Sequence, residues 1–116
     1  MQKTTDQKFI KDAAVAWQDM GGGVRRKIMA FEDSIMLVRV EFETGGVGSL
    51  HSHPHVQISH VESGQFEIEI EGVKKTLSAG DVFHVPSNAI HGAYCIEAGV
   101  LIDVFSPMRE DFLTTI

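Results

Sequence analysis

The chain has 116 residues, about the length of one domain, and its 43% hydrophobic and 22% charged content is typical of a globular protein. Its formal net charge of −6 argues against a nucleic-acid partner, because binding to a phosphate backbone needs a basic surface. No apolar run approaches the roughly 18–20 residues of a membrane-spanning helix, and the N-terminus lacks the apolar segment of a secretory signal, so we expect no membrane partner.

Strand-like segments follow one another along most of the chain. The first 17 residues are weakly helical or irregular, with 13–17 forming one helical turn or an added edge strand, and glycines within 20–23 end any regular element. Residues 65–71 are the clearest strand, because Phe66, Ile68 and Ile70 alternate with polar residues. The predicted strands are 24–31, 35–42, 49–53, 57–62, 65–71, 73–77, 81–85, 89–95 and 100–105.

Turn signals separate several of these strands, at 32–34, 44–48, 63–64 and 71–72, and Pro107 opens a short helical turn over 108–113. Many short strands with no long amphipathic helix between them predict an all-β antiparallel sandwich or small barrel, and argue against an α/β fold. We expect one domain over 1–116, with an N-terminal arm or edge strand at 1–22, a barrel at 24–105 and a C-terminal turn at 106–116.

Histidine is distributed unevenly, since all six histidines lie between residues 51 and 91. Alternate residues of a strand share a face, so His51, His53 and Gln57 point the same way if the segment stays extended. A His-x-His pair on a strand brings two imidazoles close enough to share a metal ion, and His91 offers a third from a later strand. The alternative is that these histidines lie on the surface or fill the core, but the combined pattern favours a metal site.

Two stretches of the sequence resemble the two motifs of the cupin superfamily. Residues 45–64 match the first motif, with His51, His53 and Gln57 at its ligand positions, and residues 80–91 match the second, which ends in His91. The resemblance implies a double-stranded β-helix, the cupin jelly-roll barrel, with one divalent transition metal held by these four residues. The ligand set does not choose between Zn, Ni, Mn, Fe and Co.

Gln57 departs from the first cupin motif, which usually has Glu at this position. Three imidazoles and one amide oxygen are all neutral ligands, so the metal keeps its full positive charge. This ligand set favours a Lewis acid that polarises a carbonyl or hydroxyl oxygen over a site for oxygen activation. Asn88 stands where Gly is usual in the second motif, and Asn tolerates the left-handed backbone that such a turn needs.

Residues 24–28, 51–57 and 103–112 resemble the KdgF group, small single-domain cupins that linearise unsaturated uronates released by polysaccharide lyases. The resemblance implies an enzyme whose substrate is an anionic sugar acid, a 4,5-unsaturated uronate monosaccharide from pectin or alginate. Ring opening and tautomerisation would give a linear 4-deoxy-5-keto uronate. The alternatives are another metal-dependent cupin, such as a dioxygenase or a sugar isomerase, and a non-catalytic sugar-binding cupin.

The last strand and the residues after it carry three further candidates. Asp103 and Phe105 share one face, and a carboxylate among apolar groups is costly unless paired or functional, so Asp103 is the candidate general acid and base. Arg109 follows Pro107 at the barrel mouth, where its planar fork can bind a substrate carboxylate during catalysis. Phe105 is the candidate for packing on the sugar ring. In the alternative interpretation, Asp103 and Arg109 pair with each other or with rim residues.

The other chemically notable residues are expected to have structural roles. His60 should be structural or exposed, His84 should be structural, and His55 should be exposed or touch the site. Residues 25–27 should be strand-surface charges, of which one could point into the pocket. Cys95 is the single cysteine, so it forms no intramolecular disulfide; we expect it to be buried and inert in a cytoplasmic protein. The resemblance to small cupins, which pair through an N-terminal strand and sheet edges, implies a homodimer in which 9–17 is the swapped or edge strand, and a jelly roll leaves such edges to cover.

Overall fold

The computed structural model of the protein describes residues 7–113. Over this range the chain forms one 3-10 turn, eight strands and one α-helix, so the predicted all-β class is confirmed. That helix has four residues and is too short to cross a membrane. The elements are the 3-10 turn Asp12–Ala14, β1 Gln18–Gly21, β2 Val24–Glu32, β3 Ile35–Phe42, β4 Val47–His51, β5 Val56–Ile70, β6 Val73–Ser78, β7 Val82–Val85, β8 His91–Ser106 and α1 Glu110–Leu113.

Two strands are much longer than the sequence predicts. The predicted strands 57–62 and 65–71 are parts of the 15-residue strand β5, and 89–95 and 100–105 are parts of the 16-residue strand β8. The predicted turn at 63–64 is therefore wrong, because β5 bends here, with irregular pairing to β8 between Val61 and Phe66. Gly64 has a φ of +81°, and a Cβ on it would lie 2.5 Å from the carbonyl oxygen of Glu97, so the bend requires glycine.

The bends make β5 and β8 members of two layers. The first half of β5 and the second half of β8 lie in a layer ordered β1-β2-β3-β8-β5-β7. The other halves form a smaller layer ordered β4-β8-β5-β6. All these pairs are antiparallel, and the layers face each other across the core, where the rings of Phe42 and Phe66 pack edge to face with centroids 5.1 Å apart. This arrangement is the predicted jelly roll.

Apolar side chains between the layers form two clusters. The first joins both layers and contains Cys95, which is fully buried as predicted, and burial raises the pKa of its thiol. The second attaches the chain that follows β8 to the larger layer, and it contains Met36, Val38, Phe105, Met108 and Leu113. Residues 108–113 are therefore packed against the barrel, which holds Arg109 beside the end of β8.

The N-terminal edge strand lies within the predicted arm 1–22 but follows the segment 9–17 that was predicted to form it. Residues 9–17 contain the 3-10 turn and no strand, whereas β1 pairs with β2. The glycines at 21–23 all have positive φ and reverse the chain tightly, so the residues that reach β2 are those directly before them. Lys27 Nζ donates hydrogen bonds to the backbone carbonyl and the carboxylate of Asp12, which anchors the turn. Predictions for residues 1–6 and 114–116 lie outside the described residues, and the homodimer stays a prediction.

Candidate metal centre and active site

Three of the four predicted metal ligands form one cluster. His51 ends β4 and lies opposite His91 at the start of β8, and His53 follows two residues after His51. One ligand nitrogen from each ring lies within 4.8 Å of the other two, so small movements of the rings would bring all three onto a single ion. His53 and His91 are buried whereas His51 is exposed, so the cluster lies where the barrel interior meets solvent.

Backbone carbonyls determine which nitrogen of each ring carries the proton. A carbonyl oxygen only accepts hydrogen bonds, so an Nδ1 atom in contact with one must be the donor, and Nε2 then carries the lone pair. All three rings have this arrangement, with Nδ1–H donated by His51 to Ser49 at 2.7 Å, by His53 to His55 at 3.0 Å and by His91 to Ala89 at 2.9 Å. The three Nε2 atoms are therefore the available metal ligands.

The polar atoms at the centre of the cluster lack the hydrogen-bond partners that a buried site normally has. His91 Nε2 is buried and has no partner among the described residues. His53 Nε2 lies 3.1 Å from Gln57 Oε1, so two acceptors face each other. Burial lowers the pKa of His91 to about 4, and burial followed by the charge of Arg109 lowers that of His53, so both rings are neutral near pH 7. These donor atoms fit a divalent cation.

Gln57 connects the histidines to Asp103 through a residue that sequence reasoning missed. Ser59 is fully buried, accepts a hydrogen bond from Gln57 Nε2 at 2.9 Å and donates one to Asp103 Oδ1 at 2.6 Å. Burial raises the pKa of Asp103 to about 6, although the hydrogen bond from Ser59 and the charge of Arg109 oppose the rise. Strand alternation is the sequence signal that could have found Ser59, because residues 57, 59 and 61 all face the barrel interior.

A cavity of about 180 Å³ inside the barrel unites most of the predicted site. It is lined by His51, Gln57, His91, Asp103, Phe105 and Arg109, among others. A wider opening of about 770 Å³ adjoins it and is lined by His53 and again by Arg109. The cavity and its opening together thus bring the metal ligands, the candidate acid and the candidate carboxylate-binding residue close to one another.

Arg109 pairs with a residue of the rim, as the alternative interpretation of this residue expected. Its Nε and Nη2 donate hydrogen bonds of 3.0 and 2.8 Å to the two carboxylate oxygens of Asp111. Its Cζ lies 5.2 Å from the ring centroid of Phe105 and 4.3 Å from that of Phe112. The planar guanidinium is therefore oriented by two aromatic rings and already binds one carboxylate.

Residues 38–105 match the family model of the cupin domain. This stretch is more than half of the chain and contains the three clustered histidines together with Gln57, Ser59 and Asp103. The chain belongs to the cupin family. The motifs at 45–64 and 80–91 are thus confirmed as cupin motifs, and Asn88 has the expected left-handed backbone with a φ of 65°.

This cupin is similar to proteins of the KdgF group over nearly its whole length. It is 42% identical over 109 residues to the pectin degradation protein KdgF of Dickeya dadantii. The aligned region covers 92% of this chain and 99% of that protein. The solved structure of KdgF from Halomonas sp. is 42% identical, with a TM-score of 0.87 over 91% of this chain and 98% of that one. An RmlC-like cupin from Shewanella frigidimarina is 40% identical, with a TM-score of 0.92 over 96% and 99% of the two chains.

One residue of the basic run in β2 points into the barrel of this cupin. Arg25 is exposed and pairs with Glu41, as predicted for a surface charge, but Arg26 is buried and lines the inner cavity. Its Nε donates to Gln18, and its Cζ lies 3.9 Å from the ring centroid of Phe112. Burial, followed by the charge of Arg109, lowers the pKa of Arg26. An inward-pointing residue in this run was allowed for, but the prediction that Lys27 is a surface charge is wrong, because Lys27 is buried and bonded to the N-terminal turn.

The other histidines lie outside the cluster. His60 and His84 are both exposed on the outer face of the larger layer. Exposure was predicted for His60, whereas His84 was predicted to have a structural role. His55 is half-buried at the wider opening, and its backbone carbonyl accepts the Nδ1–H of His53. It therefore supports a metal ligand through its main chain, a role that the side-chain pattern did not indicate.

Proposed function

We propose that this cupin converts 4,5-unsaturated uronate monosaccharides, released by pectin or alginate lyases, into linear 4-deoxy-5-keto uronates. The observation that carries the proposal is the position of Asp103, a carboxyl with a pKa of about 6, in the same cavity as His51, His91 and Arg109. The 42% identity to a pectin degradation protein supports the substrate class.

The proposed metal ligands are Nε2 of His51, His53 and His91 and Oε1 of Gln57. A divalent ion of Zn, Ni, Mn, Fe or Co bound there would supply a Lewis acid that stabilises negative charge on substrate oxygens. Because all four ligands are neutral, they leave the charge of the ion undiminished. The carbonyl contacts of the three Nδ1 atoms hold the rings ready for binding without a change of tautomer.

Asp103 is proposed to move the proton that the reaction requires. The substrate and product are isomers, so the reaction breaks the bond between C1 and the ring oxygen and transfers one proton from the C1 hydroxyl to C4. The ionised carboxylate accepts the hydroxyl proton as the ring opens to an aldehyde and an enolate, and the protonated form returns that proton to C4 as the enolate becomes the ketone. A pKa of about 6 allows both forms to be populated near neutral pH.

Arg109 and Phe105 are proposed to hold the substrate during this proton transfer. The guanidinium of Arg109 binds the uronate carboxylate in a fork, in the place that Asp111 takes in this structure. The ring of Phe105, which lines the cavity beside Asp103, packs on the sugar. The substrate is then fixed between the histidine cluster and the carboxyl group that exchanges protons with it.

The test follows the ultraviolet absorbance of the unsaturated uronate released by lyase digestion of polygalacturonate or alginate. We expect metal-loaded protein to accelerate the loss of absorbance and chelator-treated protein to do so far less. His91→Ala should behave like the chelated protein, whereas His60→Ala, which removes an exposed histidine, should behave like the parent. No acceleration by fully metal-loaded protein would overturn the uronate assignment, and oxygen uptake or substrate binding without turnover would then identify a dioxygenase or a sugar-binding cupin.

A further inference from the structure

We propose that Ser59 is a positioning residue that determines which atom of the Gln57 side chain faces the three histidines. Ser59 is fully buried in the barrel, and its hydroxyl contacts both the Gln57 amide and the Asp103 carboxylate. Neither of these two hydrogen bonds involves a histidine, and Ser59 lies outside the set of proposed ligands and proton carriers. The inference rests on the same site as the proposed function, but it concerns binding of the metal and not the reaction.

The direction of the hydrogen bonds follows from the number of protons available. A serine hydroxyl has one proton, and the short 2.6 Å contact assigns it to Asp103, because an ionised carboxylate can only accept. The Ser59 oxygen then has only lone pairs to offer to Gln57. It therefore accepts from the amide nitrogen at 2.9 Å, which turns the amide oxygen of Gln57 toward His53.

The opposite orientation of the amide would prevent Gln57 from being a ligand. If the amide turned over, its NH₂ group would face His53 and donate to the Nε2 lone pair that the metal needs. Its oxygen would face the Ser59 oxygen, whose proton is directed at Asp103, so two buried acceptors would be in contact. The observed orientation also has one such pair, His53 Nε2 with Gln57 Oε1, but a bound ion would lie between these two atoms. With an ion present, the hydroxyl of Ser59 therefore disfavours the orientation that would block the metal site.

This requirement arises from the departure of this chain from the common cupin motif. A glutamate at position 57 would present an oxygen to the histidines in either orientation of its carboxylate. An amide has only one oxygen, so it needs a partner that distinguishes its two ends. Ser59 supplies that partner in a chain whose fourth ligand is neutral.

The first test compares Ser59→Thr with Ser59→Val, which have nearly the same shape and differ in one hydroxyl. The affinity of the metal-free full-length protein for Ni²⁺ or Co²⁺ is measured by calorimetry, without substrate. We expect the Val variant to bind the ion about 10- to 100-fold more weakly than the Thr variant, the usual effect of losing a partner behind a ligand. Equal affinities in the two variants would overturn the proposal.

The second test asks whether the effect of Ser59 depends on the amide. Ser59→Ala is made in the parent and in a Gln57→Glu background, with far-UV circular dichroism to verify folding. We expect the alanine to weaken Co²⁺ binding and alter the visible spectrum of bound Co²⁺ in the parent, and to change neither in the Glu background. An equal loss in both backgrounds would overturn a role in orienting the amide. Because no uronate is present, failure of the proposed function leaves these readouts unchanged.

Discussion

Arg109 donates two parallel hydrogen bonds to the carboxylate of Asp111, at 3.0 and 2.8 Å. The guanidinium that we propose for the substrate carboxylate is thus occupied by a carboxylate of its own chain. The Asp111 side chain is 59% exposed, so water can replace its hydrogen bonds to Arg109 when a substrate displaces it. The contact keeps the planar group oriented, and it also competes with an anionic substrate.

Replacing Asp111 by Asn is therefore expected to lower the KM for the unsaturated uronate. Asp111 is exposed whereas Arg109 is only 11% exposed, and an ion pair at a surface contributes up to about 1 kcal/mol. Removing the competing charge should therefore lower KM by up to about fivefold with little change in kcat. Steady-state kinetics of absorbance loss measure the effect. Glu110→Gln is the matched control, because it removes the same charge from the neighbouring residue and should leave KM nearly unchanged. A KM that stays at the parent value in Asp111→Asn would argue against competition.

Asp103→Asn is expected to abolish most of the turnover while the protein keeps its fold and its metal affinity. The amide can still accept the hydrogen bond from Ser59, but it cannot accept and return a proton. Removal of a general acid and base typically lowers the rate about 10²- to 10⁴-fold. Kinetics and Ni²⁺ calorimetry on the same preparation separate the two properties. Turnover equal to that of the parent would exclude Asp103 as the proton carrier.

The same substitution is expected to stabilise the metal-free protein at alkaline pH. The pKa of Asp103 rises from 3.8 to about 6 on folding, so stability present at low pH is lost as pH rises through this interval. A shift of about two units corresponds to roughly 3 kcal/mol, all of it lost above pH 7. Urea unfolding of the parent and of Asp103→Asn is measured at pH 4 and pH 8. The free energy of unfolding of the variant should exceed that of the parent by more at pH 8 than at pH 4. A difference that does not depend on pH would contradict the prediction.

The bend in β5 is expected to tolerate no side chain at Gly64. Gly64 and Gly72 have nearly the same positive φ, +81° and +80°, but only at Gly64 would a Cβ meet backbone oxygens, at 2.5 and 2.6 Å. Gly72→Ala should lower the free energy of unfolding by the roughly 1–2 kcal/mol that a left-handed backbone costs an alanine, and Gly64→Ala should lower it clearly more. Chemical unfolding of both variants gives the comparison, and equal losses would mean that the backbone relaxes at the bend.

Local sequence patterns predicted the strands and the motif residues but not the contacts between distant segments. The pair Ser63–Gly64 has the composition of a turn, and the same glycine also permits a bend, so only its contact with β8 distinguishes the two. Arg26 belongs to a run of three basic residues that has no polar alternation, and the barrel alone determines which one is buried. Ser59 acquires its role from Asp103, 44 residues away, through the register of two long strands.

The histidines, by contrast, could be grouped from sequence because cupin ligands lie at fixed spacings in two short motifs. The tautomers of these histidines could not be predicted from sequence, since the positions of the carbonyls that accept the three Nδ1–H groups depend on the backbone around each ring. The pairing of Arg109 with Asp111 was open from sequence for a different reason. Arg109 and Asp111 are two residues apart on the rim, so their side chains can face the cavity or each other. The packing of residues 108–113 on the larger layer determines which of the two arrangements forms.

The bent pair of β5 and β8 also has a consequence for the order in which the protein folds. Gln57 and Ser59 lie on one of these strands and His91 and Asp103 on the other, so no locally formed hairpin contains the whole site. Contacts between residues so far apart in the chain are entropically costly to initiate and form slowly. A refolding chain should therefore bind metal with high affinity only when the barrel closes. The time at which a bound-metal signal appears would report when the barrel closes.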